Sequence, residues 1–361
     1  MPARDPTPAR QITALDPAAD LVGLTQAVVD VVSVSGQERA LADLVEAALR
    51  RLPHLRVDRD GDAVLARTDA PGERVLLAGH LDTVPVADNM PSTVAGGRIH
   101  GCGTSDMKAA LAVMLRLAAD PSSRYARTFV FYDNEEAAYA RNGLGRLAAS
   151  HPDWLAADFA VLLEPTACRV EAGCQGTMRV EVTVPGRRAH SARSWLGDNA
   201  IHQAGALLTR LSGYAPRQVT LEGCTYREGL NAVRIEGGVA GNVIPDACTV
   251  TVNYRYAPDR SEQEALAHVR EMVAPCEPVV VDSAPPGPPG LAGPLAARFV
   301  RSVGTEPVAK YGWTDVARFA RLGIPALNYG PGDPDLAHTR EESVEIARIV
   351  ECEDVLRRFL S

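Results

Sequence analysis

Two textures of apolar and polar positions divide this chain. In the first, short unbroken apolar runs are bounded by charge and glycine. Val75-Leu76-Leu77-Ala78 runs into Gly79-His80, Phe129-Val130-Phe131 into Asn134-Glu135-Glu136, and residues 158–163 into Glu164-Pro165-Thr166. Runs of this kind predict strands buried on both faces, the habit of a parallel sheet. Helical spacing surrounds them: residues 21–32, residues 40–52 behind a Ser35…Glu38 capping-box pattern, and Ala109 to Ala118. A further short strand is expected at 63–67, closed by the turn Ala70-Pro71-Gly72.

From Gly176 the pattern alternates instead. Residues 178–184 and 248–256 read as half-buried strands, 234–238 as a third, and 200–211 and 262–273 as amphipathic helices. Such a sequence of elements predicts a small antiparallel α+β layer with one exposed face. The Pro/Gly stretch Ser283 to Gly290 reads as a linker, followed by a helix at 291–303, a strand at 325–329 and a closing helix at 342–360. The simplest partition is a mixed-sheet α/β domain, residues 1–175 and 285–361, interrupted by an inserted α+β domain, residues 176–284. A length of 361 residues accommodates both.

Charge and cysteine content narrow the partners. A formal charge of -8 argues against non-specific attraction to nucleic acid or to an anionic membrane, so local arginines must attract any anionic substrate. No segment approaches the roughly 20 apolar residues that span a bilayer. The leader, Met1 to Asp16, lacks the apolar run of a signal peptide. Seven scattered cysteines without a C-x-x-C pair suggest neither a disulfide framework nor a thiolate zinc site. A reducing cytoplasm is the expected location.

Chemistry collects at the strand ends, where open α/β sheets bind ligands. His80 and Asp82 lie two apart in extended chain and point the same way, so that the carboxylate can hold one imidazole nitrogen and leave the other for a metal. A carboxylate at one strand end is unremarkable, but three apolar strands finish in metal-competent residues. Asp106 follows the Gly101-Cys102-Gly103 loop just ahead of a helix, a position suited to an N-cap or to a ligand, and His338 ends the Gly330 to Ala337 loop. Taken together, His80, Asp106, Glu136, Glu164 and His338 offer two imidazoles and three carboxylates. That set suits a pair of divalent ions, zinc first and cobalt or manganese by substitution, with one carboxylate bridging. Glu135, beside a ligand but not needed as one, is the natural general base.

These motifs, in this order, resemble the co-catalytic zinc peptidases and amidohydrolases, a family that includes aminoacylases and acetylornithine deacetylases. The resemblance rests on Gly79-His80-Leu81-Asp82-Thr83-Val84-Pro85, Gly103-Thr104-Ser105-Asp106-Met107-Lys108, Glu135-Glu136, Glu164-Pro165-Thr166 and His338. It implies one metal on His80, Asp106 and Glu164 and a second on Asp106, Glu136 and His338. It also implies that Asp82 orients His80, that Glu135 is the base, and that the peptide after Asp106 is cis. The inserted segment is then a dimerisation domain of a homodimer, and His190 in Gly186-Arg187-Arg188-Ala189-His190-Ser191 reaches the partner subunit's site to stabilise an oxyanion. Residues 174–177, 189–200, 225–231 and 312–316 are similar to the members that cleave N-succinyl-diaminopimelate in diaminopimelate and lysine biosynthesis. A sister deacylase or carboxypeptidase acting on another N-acyl amino acid is the alternative. The expected substrate contacts are Arg193 and Arg255 for the carboxylates, with Asn242 and Thr314.

Overall fold

The buried apolar runs lie side by side. In the computed structural model, which describes residues 12–361, they form the centre of an eight-stranded mixed sheet. Residues 1–11 of the leader lie outside the described residues. The strand Arg74–His80 sits between Ala126–Tyr132 and Phe159–Leu162 and runs parallel to both, and Ala326–Asn328 is parallel to Phe159–Leu162 on the far side. Four adjacent strands therefore end on the same edge of the sheet. The antiparallel pair Arg56–Asp60 and Ala63–Arg67 continues the sheet beside Ala126–Tyr132. The apolar helix Ala109–Ala119 packs on the helices Leu21–Val29, Arg39–Arg50 and Ile346–Leu360, and eight of its first nine residues are buried outright.

Two local expectations change. The Ser35…Glu38 pattern is not a cap: the helix Arg39–Arg50 starts without a side-chain cap, the Ser35 hydroxyl donates to Asp82 Oδ2 at 2.7 Å, and Glu38 Oε1 accepts from the amides of Gly36 and Asn134. The same S-x-x-E spacing at Ser261 and Glu264 does make a reciprocal capping box. The expected closing helix also begins late. Ser343–Glu345 is a strand paired with Arg98–His100, and helix follows only from Ile346.

The chain forms two compact units. Among the described residues, the first is 12–172 with Gly290–Val308 and Arg318–Ser361, and the second is Gly173–Pro289 with Ala309–Ala317. The expected boundaries left residues 309–317 with the first unit; hydrogen bonds tie them to the second. The Trp313 indole donates to Pro285 O, the Cys174 thiol to Thr314 O and the Tyr311 hydroxyl to Thr225 O.

In the second unit a four-stranded antiparallel sheet runs in the order Gly229–Gly237, Ala247–Tyr256, Gly176–Pro185, Pro278–Ala284. Met178, Val180, Val182 and Val184 fill one face with Val250 and Val252, against Ala204, Leu207 and Leu211 of one helix and Ala265 and Val269 of another. Each such buried Val, Leu or Met side chain contributes about 1.5–3 kcal/mol. Arg179, Glu181 and Thr183 alternate onto the exposed face, as the strand period requires. The edge strand Pro278–Ala284 escaped the sequence reading because its apolar run, Val279 to Val281, is exposed and does not alternate.

Candidate metal centre

Parallel packing brings the predicted residues together. His80 closes its strand, the Glu135-Glu136 turn follows Ala126–Tyr132, and Glu164 follows Phe159–Leu162, so these ligands come from three neighbouring strand ends. Backbone bonds fix the neighbours in depth: Leu81 N donates to Tyr132 O at 2.7 Å and Leu163 N to Ala78 O at 2.9 Å. The fourth parallel strand leads into Gly330-Pro331-Gly332, the start of the loop that carries His338.

His80 is fully buried. Its Nδ1 lies 2.9 Å from the backbone carbonyl of Asp82 but 3.6 Å from that residue's carboxylate. Asp82 therefore orients the imidazole through its peptide rather than its side chain, which corrects the expectation. The carboxylate is committed elsewhere: Oδ1 accepts from Glu135 N at 2.9 Å, and Oδ2 from Glu136 N at 3.0 Å and from the Ser35 hydroxyl. Asp82 thus holds the whole Glu135-Glu136 turn. Asn134, just before it, takes a left-handed φ of 58°.

Asp106 is not an N-cap. Lys108 occupies the cap position of the helix Ala109–Ala119, and the Asp106–Met107 peptide is cis, as the resemblance implied. Asp106 Oδ1 lies 3.0 Å from His80 Nε2 and Oδ2 3.4 Å from His338 Nε2, so the carboxylate faces both imidazoles. His338, at a left-handed φ of 62°, also places Nε2 2.5 Å from Glu136 Oε1. The ligand atoms of His80, Asp106 and Glu164 lie within 4.8 Å of one another, and so do those of Asp106, Glu136 and His338. A third group, His80, Glu135 and Glu136, is equally close, and Asp106 is the carboxylate common to the first two.

The charges fit a cationic occupant. Burial opposes charging His80, yet the hydrogen bond to Asp106 and the surrounding carboxylates hold its pKa well above that of a free imidazole. His338 is pushed up to about 10 by Asp106 and Glu136. Burial likewise opposes ionising Asp106, but His338 and His80 hold it below the usual carboxylate range. Without a cation the carboxylates draw protons onto the imidazoles. Divalent ions of borderline softness match the oxygen and nitrogen donors present.

Sequence reasoning missed the residues behind the ligands. Glu342 accepts the amides of Gly103, Ser105 and Asp106, and the buried Lys108 ammonium donates to the carbonyl of Val31 at 2.6 Å, past the end of the first helix. Glycines at 330 and 332 were read only as loop formers. A Cβ at 330 would stand 2.5 Å from Glu164 O, and one at 332 would stand 2.7 Å from the carbonyl carbon of Ser105. No apolar period marks such positions; the Gly-Pro-Gly spacing is the one available signal.

The other expected residues belong to the second unit. His190 and Asn242 are neighbours there: the 189–190 strand pairs with 243–244, and Ser191 N donates to Asn242 O at 2.9 Å. His190, Arg193 and Asn242 are exposed, Arg255 is half-buried on the strand Ala247–Tyr256, and Thr314 is buried.

Known proteins supply the context. Residues 76–361 match the model of peptidase family M20/M25/M40. A Mycobacterium tuberculosis protein provisionally named succinyl-diaminopimelate desuccinylase is 56% identical over 96% of this chain and 99% of its own. The succinyl-diaminopimelate desuccinylase of Corynebacterium glutamicum is 47% identical with the same coverage. Among solved structures, an M20 family metallo-carboxypeptidase of Sulfolobus solfataricus superposes with a TM-score of 0.76 at 16% identity, covering 95% of this chain and 98% of that one. A dinuclear metal-binding M20 peptidase of Bacillus subtilis gives 0.69 at 14% identity, covering 94% and 96%. With its fold, its strand-end ligands and these matches, the chain belongs to peptidase family M20/M25/M40.

Proposed function

We propose that this chain is a two-metal amide hydrolase that cleaves N-succinyl-LL-2,6-diaminopimelate to succinate and LL-2,6-diaminopimelate. The observation that carries the reading is the sharing of Asp106 between two donor triads, beside Glu135, in a chain matched at 56% and 47% identity by relatives named for that activity.

His80, Asp106 and Glu164 would hold one divalent ion and Asp106, Glu136 and His338 the other, zinc being the expected metal and cobalt or manganese able to substitute. When bound, the pair polarises the scissile carbonyl and acidifies the attacking water. Glu135 takes a proton from that water as its oxygen bonds to the succinyl carbon, and returns the proton to the amine nitrogen as the C–N bond breaks. Asp82 keeps Glu135 in place through the peptide N–H. His190 of a second copy would donate to the oxyanion, and Arg193, Asn242, Arg255 and Thr314 would bind the substrate's carboxylates and amide.

A homodimer through the second unit is supported by its edge strand Gly229–Gly237. Val233 and Ile235 on that strand are 57% and 48% exposed, and Ile201 beside it is 42% exposed. An apolar strand edge of this kind needs a cover. Free cysteines throughout the described residues suit the reducing cytoplasm, and no helix there is long and apolar enough to cross a membrane.

Turnover of a panel of N-acyl amino acids and dipeptides by the zinc- or cobalt-loaded protein tests the reading. N-succinyl-LL-2,6-diaminopimelate is the expected preferred substrate. Its survival while another N-acyl amino acid is cleaved would replace it with a sister deacylase, and cleavage of nothing would leave a metal-binding protein. In the same assay Glu135→Ala abolishes turnover and keeps the metal; loss of both would mean that base and ligand are misassigned.

A further inference from the structure

Behind the shared ligand sits a carboxylate that none of the chemistry above uses. Glu342 is 2% exposed and lies four residues after His338. Its Oε1 accepts from the amides of Ser105 at 2.9 Å and Asp106 at 3.0 Å, and its Oε2 from the amide of Gly103 at 2.8 Å. Backbone and hydroxyl bonds join the same two segments again: Gly101 N donates to Glu342 O at 3.1 Å, Ser105 Oγ to Ser343 O at 3.0 Å, and Asp333 N to Ser105 Oγ at 3.1 Å.

The loop needs such a hold. Gly103 takes a left-handed φ of 80°, and a glycine-containing loop has many conformations of similar energy. The one observed sets Asp106 between two imidazoles. Three amides converge on this carboxyl group away from water, where leaving any of them unpaired would be costly. Asp82 treats the other ligand turn in the same way through the amides of Glu135 and Glu136. Because Glu342 and His338 share one short segment, a carboxylate that grips the Asp106 loop also sets the distance from Asp106 to His338.

We propose that Glu342 is a positioning residue, whose carboxylate gathers the amides of Gly103, Ser105 and Asp106 and thereby fixes the shared Asp106 ligand between His80 and His338. The inference rests on the two-metal reading of the site. In Glu342→Gln one oxygen becomes an amide nitrogen that faces peptide donors whichever way the side chain turns.

The test is cobalt titration of the full-length protein, by competition with a chelating dye and by visible absorption, together with steady-state kinetics at saturating metal. For Glu342→Gln the expected results are a loss of cobalt affinity of about 10–100-fold, an altered cobalt spectrum, and a fall in kcat with KM near that of the wild type. A lowered melting temperature with wild-type affinity, spectrum and kcat would reduce Glu342 to a structural role and overturn the proposal. Should that variant not fold, Glu342→Asp, which keeps the charge and withdraws the acceptors, is read in the same way. Amide exchange in the wild type decides independently of either variant: Gly103, Ser105 and Asp106 are expected to be protected in the metal-free protein, and rapid exchange there refutes the hold. A wild type that takes up no cobalt would instead overturn the metal-centre reading itself.

Discussion

The Gly330-Pro331-Gly332 corner offers a severe check on the site, because it touches two ligand segments through backbone alone. A Cβ at 332 would lie 2.7 Å from the carbonyl carbon and 2.8 Å from the Cα of Ser105, with the carbonyl oxygen nearer still. Carbon atoms pack comfortably at about 3.5–4.0 Å, so Gly332→Ala must drive the two backbones apart by roughly 1 Å. Neither neighbour is the free end of a side chain. Ser105 precedes Asp106, and the corner itself is bound to the Glu164 segment, through Ala167 N to Gly332 O at 2.6 Å and Thr166 Oγ1 to Gly330 O at 3.2 Å.

Displacement on that scale at a catalytic centre costs about 100-fold in rate, and overpacking costs about 1–3 kcal/mol of stability. Gly332→Ala is therefore expected to remain folded, with a lower melting temperature, weakened metal binding and kcat/KM down by about two orders of magnitude. Gly330→Ala, which presses on Glu164 O, should act in the same direction. The assays are thermal unfolding, calorimetric metal titration and hydrolysis of the N-succinyl substrate at saturating metal. Wild-type turnover and metal affinity in Gly332→Ala would refute the claim that backbone contact at this corner sets the ligand geometry.

Three further expectations concern protons and subunits. In the metal-free protein His80 and His338 hold protons well above the ordinary imidazole range, His338 to about 10, so a cation must displace them. Metal affinity should rise with pH, and calorimetry in buffers of different ionisation enthalpy should show protons released at neutral pH; binding without release refutes the charge reading. Because the folded-state pKa of His338 is raised, the stabilisation it supplies to the metal-free protein is complete below the free-imidazole pKa. It is lost as pH climbs through about 10, whereas the metal-loaded protein, whose ligand imidazoles are neutral, should not show that loss. At the edge strand, Val233→Lys combined with Ile235→Glu should turn a dimer into a monomer in sedimentation; a wild type already monomeric at micromolar concentration refutes the interface.

Much of the site was legible because side-chain identity and strand period carry it. The buried parallel strands are apolar through most of their length and gather polar residues at their ends, so His80, Glu135, Glu136 and Glu164 declared their positions through the runs that precede them. The residues that hold those ligands in place left no such mark. Glu38 and Glu342 act on peptide N–H groups of distant segments, as does Asp82, which the sequence singled out only as a partner of His80, and an amide donor is the same whatever the residue that carries it. Ser35 and Ser261 make the point within one chain: both stand three residues ahead of a glutamate, yet one reaches across to Asp82 and the other caps its own helix. Local pattern cannot separate them, because the choice depends on whether a remote carboxylate arrives to compete with the helix amides. It follows that the positions which read as caps, loop glycines or plain surface acids in this family's chains are where geometry is decided. Substitutions there should damage the metal centre while every ligand remains in place.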